Sequence, residues 1–394
     1  MPCRSCSRPP TTRPSNRPST EPPNPDDTTQ KNIMKTAQHL TLASLATLAA
    51  LASLSAQADD GVVVYGRLNA TFENVRVENG HSRNVVNDNA SRIGFRGTED
   101  LGGGMAVIYQ IESRIRVDGS DSGTTLATRD SWVGLRTQQG TLRLGRSLGP
   151  IYYALYDYIS MHNHDTGYSS DALLSPAIFG NSNAAGGRMN NQIWYTSPKL
   201  GGFTVDATYA LLAEEPVSSG SSRTPHNLGL VTSYDAGPLH AAVSYASTQN
   251  TTNLDTTSST VRFNNDRAVT AGGAYNFGPV VVGALFERSK RSTLSEDMTR
   301  NYWRVSAMAP VGAHEFHINY GHAGDYSGTS DTGAKQYTLA YNYNLSKRSK
   351  VYAYYTKIDN DAARSAGGGG AYSFLGSSAG LDNSSIALGI RHNF

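Results

Sequence analysis

Cysteine is almost missing from this chain of 394 residues, which contains only Cys3 and Cys6. Beyond residue 6 the protein therefore has no disulfide bond to stabilise it. The Cys-x-x-Cys spacing is typical of metal and redox sites, but no second pair of ligands follows it, and its surroundings are rich in Pro, Ser, Thr and Arg. We predict no metal at these cysteines and no cofactor elsewhere.

Long apolar runs are also scarce, and the mean hydropathy is −0.42. This value argues against a bundle of membrane-spanning helices. One apolar stretch, from Leu40 to Leu54, is too short to span a membrane as a helix. It follows Lys35 and ends at a small-x-small motif, so it predicts a secretory signal peptide over residues 34–58, cleaved between Ala58 and Asp59.

Residues 1–33 have no apolar periodicity and are predicted to be disordered. Because a signal peptide belongs at the start of a chain, we expect translation to begin at Met34 and residues 1–33 to be a non-native upstream extension. The mature domain is then residues 59–394.

An excess of one charge is missing too, since 34 basic residues face 32 acidic ones. This balance gives no sign of nucleic-acid binding. The chain is instead rich in Gly (39) and Tyr (22), with many Asn, Ser and Thr residues.

From Gly61 onward the chain repeats an alternating strand, a tight turn, another strand and a long polar loop. The predicted tight turns fall at 99–103, 138–140, 198–202, 235–238, 276–279, 310–312 and 345–349. The predicted long loops are 75–89, 117–127, 147–190, 212–225, 248–266, 288–300, 321–335 and 357–382. These seven turns and eight loops predict sixteen strands. Short turns on one side and long loops on the other favour an all-β fold, a transmembrane antiparallel β-barrel.

Apolar and polar side chains alternate within each predicted strand. In the first, Leu68 and Phe72 share one face, and Asn69 and Glu73 share the other. The last strand keeps this alternation up to the terminal Phe394. Eleven tyrosines near strand ends are consistent with aromatic girdles at the membrane interfaces, although ordinary strand propensity is the alternative. They are Tyr195, Tyr209, Tyr234, Tyr245, Tyr275, Tyr320, Tyr341, Tyr343, Tyr352, Tyr354 and Tyr355.

The third loop, 147–190, has no clear strand and is rich in tyrosine, which suggests that it packs against something. His162, His164 and Asp165 are the one cluster that resembles a metal site, but a fourth ligand and a rigid scaffold are missing. The sequence offers no nucleophile elbow and no carboxylate pair suited to acid–base chemistry. We therefore do not predict an enzyme.

Four segments carry a family resemblance. Residues 91–112 contain SRIGFRGTEDLGGG and AVIYQIE, and residues 129–135, 140–146 and 191–198 read RDSWVGL, GTLRLGR and NQIWYTSP. In combination they resemble the Gram-negative general-diffusion porins of the neisserial and β-proteobacterial branch, over essentially all of 59–394. The resemblance implies an integral outer-membrane protein: a homotrimer of sixteen-stranded barrels, each a water-filled channel for small hydrophilic solutes and ions.

The resemblance also implies a third loop folded into the barrel lumen to form a constriction. The motifs place Arg92, Arg129 and Arg188 on its basic wall. Weaker candidates for the same wall are Arg67, Arg96, Arg114, Arg143 and Arg146, and the third-loop acids expected to face them are Asp157, Asp165 and Asp171. An excess of arginine there predicts a weak to moderate preference for anions. The residue-level alternative is that the arginines are structural and offset Glu73 and Glu112.

The resemblance further implies that Phe394 is read by the barrel assembly machinery, and that outer-membrane lipid and lipopolysaccharide surround the barrel. Trp194 departs from the family pattern, because relatives often have a polar or basic residue there. Two other functions stay open at this stage: a surface-loop adhesin or receptor, which is compatible with a pore, and a barrel enzyme.

Overall fold

The computed structural model describes residues 61–78, 80, 82–119, 126–160, 173, 187–212, 225–252, 262–292, 297–361 and 381–394. They belong to one compact unit, residues 47–394. Its strands are β1 Val63–Val77, β2 Arg83–Asp88, β3 Arg92–Gly102, β4 Met105–Arg114, β5 Ser131–Thr137, β6 Gly140–Leu148, β7 Arg188–Thr196, β8 Phe203–Leu211, β9 His226–Ala236, β10 Leu239–Thr252, β11 Arg262–Asn276, β12 Val281–Ser292, β13 Asp297–Val311, β14 His314–Ala323, β15 Ala334–Asn344, β16 Ser349–Asn360 and β17 Asn383–Asn393.

One helical segment interrupts the strands in the described part of the chain. A π-helical turn, Tyr152–Tyr156, continues as α1, Asp157–Ser160. We call Tyr152–Ser160 the third-loop helix. No helix among the described residues is long and apolar enough to cross a membrane.

The strands pair antiparallel in one continuous sheet that closes on itself. The last strand, β17, pairs with β1 from Arg67 opposite Asn393 to Val77 opposite Asn383. Both β2 and β3 pair with β1, one with each half of it. The seventeen segments therefore form sixteen barrel strands, and the predicted closed barrel is confirmed. The pairing of β17 with β1 joins the two ends of the sheet, so neither end is left as an open edge in the membrane.

The break between β2 and β3 has a local cause. Ala90 adopts a left-handed conformation, with φ of 58°. Side chains on either side of it replace the lost ladder bonds, because the Asn69 amide donates to Ser91 Oγ (3.0 Å) and Asn89 Nδ2 donates to Thr71 Oγ1 (2.8 Å). The second barrel strand is thus interrupted without losing its contact to β1.

All seven predicted turns join neighbouring strands, but six of the eight predicted loops are longer than the observed ones, three of them by the widest margin. The predicted loop 75–89 is wrong at both ends, because β1 runs to Val77 and β2 begins at Arg83; the predicted loops 248–266 and 288–300 are shortened in the same way by β10–β13. In these places the apolar alternation stops before the hydrogen-bonded ladder does.

The predicted faces are confirmed. Leu68 and Phe72 are exposed on the outer face (41% and 55%), whereas Asn69 and Glu73 are buried on the inner face (1% and 0%). Several of the predicted girdle tyrosines have exposed side chains on the outer face, including Tyr195, Tyr209, Tyr275 and Tyr343.

Tyr352 and Tyr354 do not belong to that girdle. Both are buried on the inner face, where the Tyr352 hydroxyl donates to Asn69 Oδ1 over 2.7 Å. Their register places them there, since Tyr352 pairs with Gly389 and Tyr354 with Ala387, and the small partners leave room for the rings.

Candidate functional site

The inner wall formed by β3, β4 and the residues before β5 contains a cluster around Glu112. The Glu112 carboxylate accepts hydrogen bonds from Arg129 Nε (2.5 Å) and from the Tyr65 hydroxyl (3.1 Å). Arg92 Nε lies 3.6 Å from the same carboxylate. The register of β3 and β4 explains why these side chains lie close together, because Gly94 lies opposite Glu112 and leaves space for the neighbouring side chains. Two arginines therefore share the carboxylate of Glu112.

A second cluster is centred on Asp130, immediately before β5. Arg188 Nε donates to Asp130 Oδ1 over 2.6 Å, and Ser147 Oγ donates to Oδ2 over 3.2 Å. The Tyr153 hydroxyl of the third-loop helix donates to the same carboxylate. Burial, together with the negative charge of Asp130, raises the pKa of Tyr153 well above its ordinary value, so its phenol remains a donor.

The five other predicted arginines lie on the inner wall or its rim, with mostly neutral partners. Arg67 Nε donates to Asn393 Oδ1 (3.0 Å), Arg96 lies over the Tyr65 ring (5.0 Å), Arg114 lies 3.5 Å from Asp88, Arg143 donates to Thr196 Oγ1 (3.0 Å), and Arg146 donates to the Thr128 carbonyl (3.1 Å) and to Asn190. The three arginines predicted with most weight are all brought together with carboxylates, and so is Arg114.

Among the described residues, the acids that meet the three arginines predicted with most weight are Glu112, which the structural alternative named, and Asp130. Glu112 and Asp130 come from the barrel wall and the end of the second long loop, whereas Asp157, Asp165 and Asp171 were expected from the third loop. Asp157 begins α1 and is partly buried. Asp165 and Asp171 lie outside the described residues, as do His162 and His164. The alternation of apolar and charged residues on β4 already placed Glu112 on the charged face. Asp130 could have been found from its position next to Arg129, which the sequence analysis did not use.

The third-loop helix packs against the inner face of the opposite strands. Leu155, Tyr156 and Ile159 are buried in a cluster with Val231 and Leu285. Ser306 Oγ donates to the Ile159 carbonyl over 2.5 Å. The helix therefore joins Asp130, beside β5, to the wall on the far side.

Two more polar contacts fix that end of the helix. Arg304 Nη1 donates to Ser160 Oγ over 2.8 Å, and the Tyr156 hydroxyl donates to Glu287. Burial and the nearby Glu287 raise the pKa of Tyr156 well above its usual range. Residues 161–172 and 174–186 lie outside the described residues, so the narrowing of a lumen by the whole loop stays a prediction.

Trp194 lies on the inner face but is covered. It is 4% exposed, and its Nε1 donates to Asp206 Oδ1 over 2.8 Å. The Arg143 guanidinium lies 3.9 Å from the centre of the indole, and the Tyr153 ring lies 6.0 Å away. The indole is thus part of the packed wall beneath the third-loop helix.

The chain terminus is ordered at the seam of the barrel. The Phe394 amide donates to the Gly66 carbonyl (3.1 Å) and the Gly66 amide donates to the Phe394 carbonyl (3.0 Å). The Phe394 ring covers the Cα of Gly66, where a Cβ would collide with it. The predicted cleavage residues Ala58 and Asp59 lie outside the described residues.

Comparison with known proteins agrees with this geometry. The family model described as Gram-negative porin matches residues 43–363. The chain belongs to the Gram-negative porin family. Outer membrane porin protein 32 of Delftia acidovorans is 31% identical over 355 residues, covering 86% of this chain and 96% of that protein. The major outer membrane protein P.IB of Neisseria meningitidis is 32% identical over 277 residues, covering 63% of this chain and 79% of its own.

Among solved structures, the anion-selective porin from Comamonas acidovorans has a TM-score of 0.70 and 27% identity, covering 85% of this chain and 99% of that one. The protein is therefore a porin of the outer membrane, and its barrel forms a channel. Its fold and its relatives are those of a channel rather than an enzyme.

Proposed function

We propose that this porin is a general-diffusion channel for small hydrophilic solutes and ions that prefers anions and works as a homotrimer. The observation that supports the anion preference is the unequal distribution of charge on the inner wall. Arg92 and Arg129 share the single carboxylate of Glu112. Arg96 lies over the Tyr65 ring, and Arg146 donates to the Thr128 carbonyl and to Asn190.

A wall with spare positive charge concentrates anions beside it, because the low-dielectric barrel focuses its field. The net charge of the chain cannot produce this effect, since basic and acidic residues are nearly balanced. The similarity to a solved porin described as anion-selective adds support.

The proposed constriction lies between the wall that carries Arg92, Arg129 and Arg188 and the third loop, which supplies Asp157, Asp165 and Asp171. Opposed charges across a narrow ring set up a transverse field, in which dipolar solutes align and apolar ones lose hydration. The described contacts favour this position, because the third-loop helix meets Asp130 at one end and the inner face of β13 at the other.

Planar-bilayer recording of the purified porin tests both parts of the proposal. In a KCl gradient we expect a reversal potential with the sign of chloride preference, and insertion events that close in three equal steps. A reversal potential of the opposite sign would exclude the anion preference, and single-step closure would exclude the trimer. Contacts with lipopolysaccharide and with the barrel assembly machinery belong to the same proposal and need separate tests.

A further inference from the structure

The outer face of the barrel carries a group of cations on β11 and β12. Arg267 and Arg288 are exposed there, and Lys290 is partly exposed. Their neighbours Ala268 and Ser289 are buried on the inner face, so the alternation of a strand places the three cations outside. We call Arg267, Arg288 and Lys290 the outer basic patch.

The register of β11 and β12 brings the three side chains close together. Arg267 lies directly opposite Lys290, and Arg288 lies opposite Val269, two residues along β11 from Arg267. Opposite residues of antiparallel strands have Cβ atoms about 5 Å apart, and diagonal neighbours are about 7–8 Å apart. Like charges directly opposite each other destabilise a sheet. A local arrangement that costs stability in this way is typical of a site that meets an external partner.

The acid beside the outer basic patch offsets it only in part. Asp297 Oδ2 lies 2.6 Å from Lys290 Nζ, and Lys290 is the one member of the patch that forms an ion pair within the described ranges. Uncharged residues lie opposite the two arginines on the outer strands, Ser247 opposite Arg267 and Asn301 opposite Arg288. On the outer faces of β11, β12 and β13, the described cations therefore outnumber the described acids three to one.

The outer basic patch borders the lipid-facing apolar surface. Two residues closer to the short turn 276–279, Val269 and Phe286 are 50% and 47% exposed, and Trp303, opposite Phe286, is 38% exposed. The patch lies at the other end of these strands, the end with the long loops, and in outer-membrane barrels the long loops face outside. It is therefore placed at the level of the outer-leaflet headgroups, directly beside side chains that face hydrocarbon.

We propose that the outer basic patch binds the phosphorylated headgroup of one outer-leaflet glycolipid of the lipopolysaccharide class, whose acyl chains lie against Val269 and Phe286. The planar guanidinium of arginine matches phosphate with two parallel hydrogen bonds, and a phosphate between the strands turns the repulsion of the patch into attraction. Free phosphate has no acyl chain, so a lipid alone uses both the charged and the apolar surface. This site rests on the lipopolysaccharide contact of the proposed function and gives that contact a location; it does not depend on the ion preference.

Native mass spectrometry of the mature porin in a non-ionic detergent tests the proposal, with diphosphorylated lipid A, the membrane anchor of lipopolysaccharide, as the probe. We expect lipid A to stay bound to the wild type and to resist displacement by inorganic phosphate. The double variant Arg267→Gln/Arg288→Gln should bind it roughly thirtyfold more weakly, because two cations at the headgroup level are lost. Displacement of lipid A by inorganic phosphate alone would overturn the choice of a lipid as the ligand.

Two further variants sharpen the test. Lys357→Gln is the matched control, because Lys357 is a partly exposed cation at the long-loop end of β16 that is already paired with Asp359 (2.5 Å) and Asp382 (3.2 Å). It should bind lipid A as the wild type does. Asp297→Asn removes the acid that competes for Lys290, so it should bind lipid A more tightly than the wild type.

Heat-resistant oligomers on gels and wild-type single-channel conductance will show that each variant is folded. Wild-type porin that retains no lipid A would remove the lipopolysaccharide contact from the proposed function, and this site with it. Retention by the wild type together with undiminished retention by the double arginine variant would overturn the site alone. Loss of trimers with intact lipid A binding would make the patch an interface between copies of the chain and would equally overturn it.

Discussion

His240 on β10 and Ala154 in the third-loop helix are joined by a hydrogen bond of 2.6 Å between the imidazole Nε2 and the main-chain carbonyl. The other ring nitrogen, Nδ1, lies 2.6 Å from Asp235 Oδ1. The Tyr158 ring stacks on the imidazole at 3.7 Å between centroids. The carbonyl of Ala154 can only accept, so Nε2 is the donor of that hydrogen bond. One side chain thus binds the start of the third loop to the barrel wall.

Replacing this histidine should loosen the loop. A hydrogen bond to a main-chain carbonyl contributes about 0.5–1.5 kcal/mol, so we expect His240→Ala to keep the barrel but to show noisier open-channel current and more frequent closures than the wild type in planar bilayers. His314→Ala is the control, since His314 lies at a short turn and bonds to the Tyr341 hydroxyl instead, over 2.7 Å. Current noise equal to the wild type in His240→Ala would show that this contact does not restrain the loop.

Because Arg92 and Arg129 share the carboxylate of Glu112, replacing the acid and replacing an arginine should change the chloride-to-potassium permeability ratio in opposite directions. Glu112→Gln removes the negative charge between Arg92 and Arg129, so the chloride-to-potassium permeability ratio should rise. Arg129→Gln removes a positive charge from the same place, so the ratio should fall. Reversal potentials in a KCl gradient measure both.

Glu99→Gln is the control for that pair, because Glu99 is an exposed acid at a short turn. Its ratio should equal that of the wild type. If the two inner-wall variants moved the ratio in the same direction, the cluster around Glu112 would not set the selectivity.

Phe394 and Gly66 are far apart in the chain but in contact at the seam of the barrel. Changing either residue should therefore have the same effect on assembly. Deleting Phe394 removes the ring at the seam, and Gly66→Val places a side chain where that ring lies and 2.6 Å from the Arg92 carbonyl at its Cβ. Both should lower the yield of heat-resistant oligomers in outer membranes, measured by gel mobility, while the pore-lining arginines stay unchanged.

Gly324→Ala should assemble normally, because the nearest atom to its new Cβ is the Asn301 carbonyl oxygen at 3.7 Å. Normal assembly of the Phe394 deletion would show that the terminal aromatic is dispensable.

The predicted signal peptide leads to a prediction about the two possible N-termini of the protein. Mass spectrometry of the mature porin should find Asp59 as its first residue, because the small-x-small motif ends at Ala58. The precursor should begin at Met34. A precursor peptide that contains Cys3 would contradict the expected start.

The number of strands, the apolar and polar faces of the strands, and the grouping of the short turns at one end of the barrel could be predicted from the sequence. Each depends on a local pattern: the two-residue period of a strand with apolar and polar faces, and the Gly, Pro, Asn and Asp residues that hairpins need. The boundaries of the long loops were less accurate, because strands such as β10 continue in polar residues where the period no longer shows. The assignment of Tyr352 and Tyr354 to the outer girdle overlooked the alternation itself, since Tyr354 and Tyr355 are consecutive in β16 and must lie on opposite faces.

The partners of the candidate site residues depended on the tertiary structure. The sequence alone indicated that Arg92 and Arg129 share a charged face, since alternation fixes the side of a strand on which a residue lies. It offered Glu112 as a counter-charge only in the structural alternative, and it did not indicate that Arg188 meets Asp130 or that Arg267 lies opposite Lys290. Those pairings depend on how neighbouring strands are staggered and on where a loop residue such as Tyr153 packs, and both are set by contacts between residues far apart in the chain.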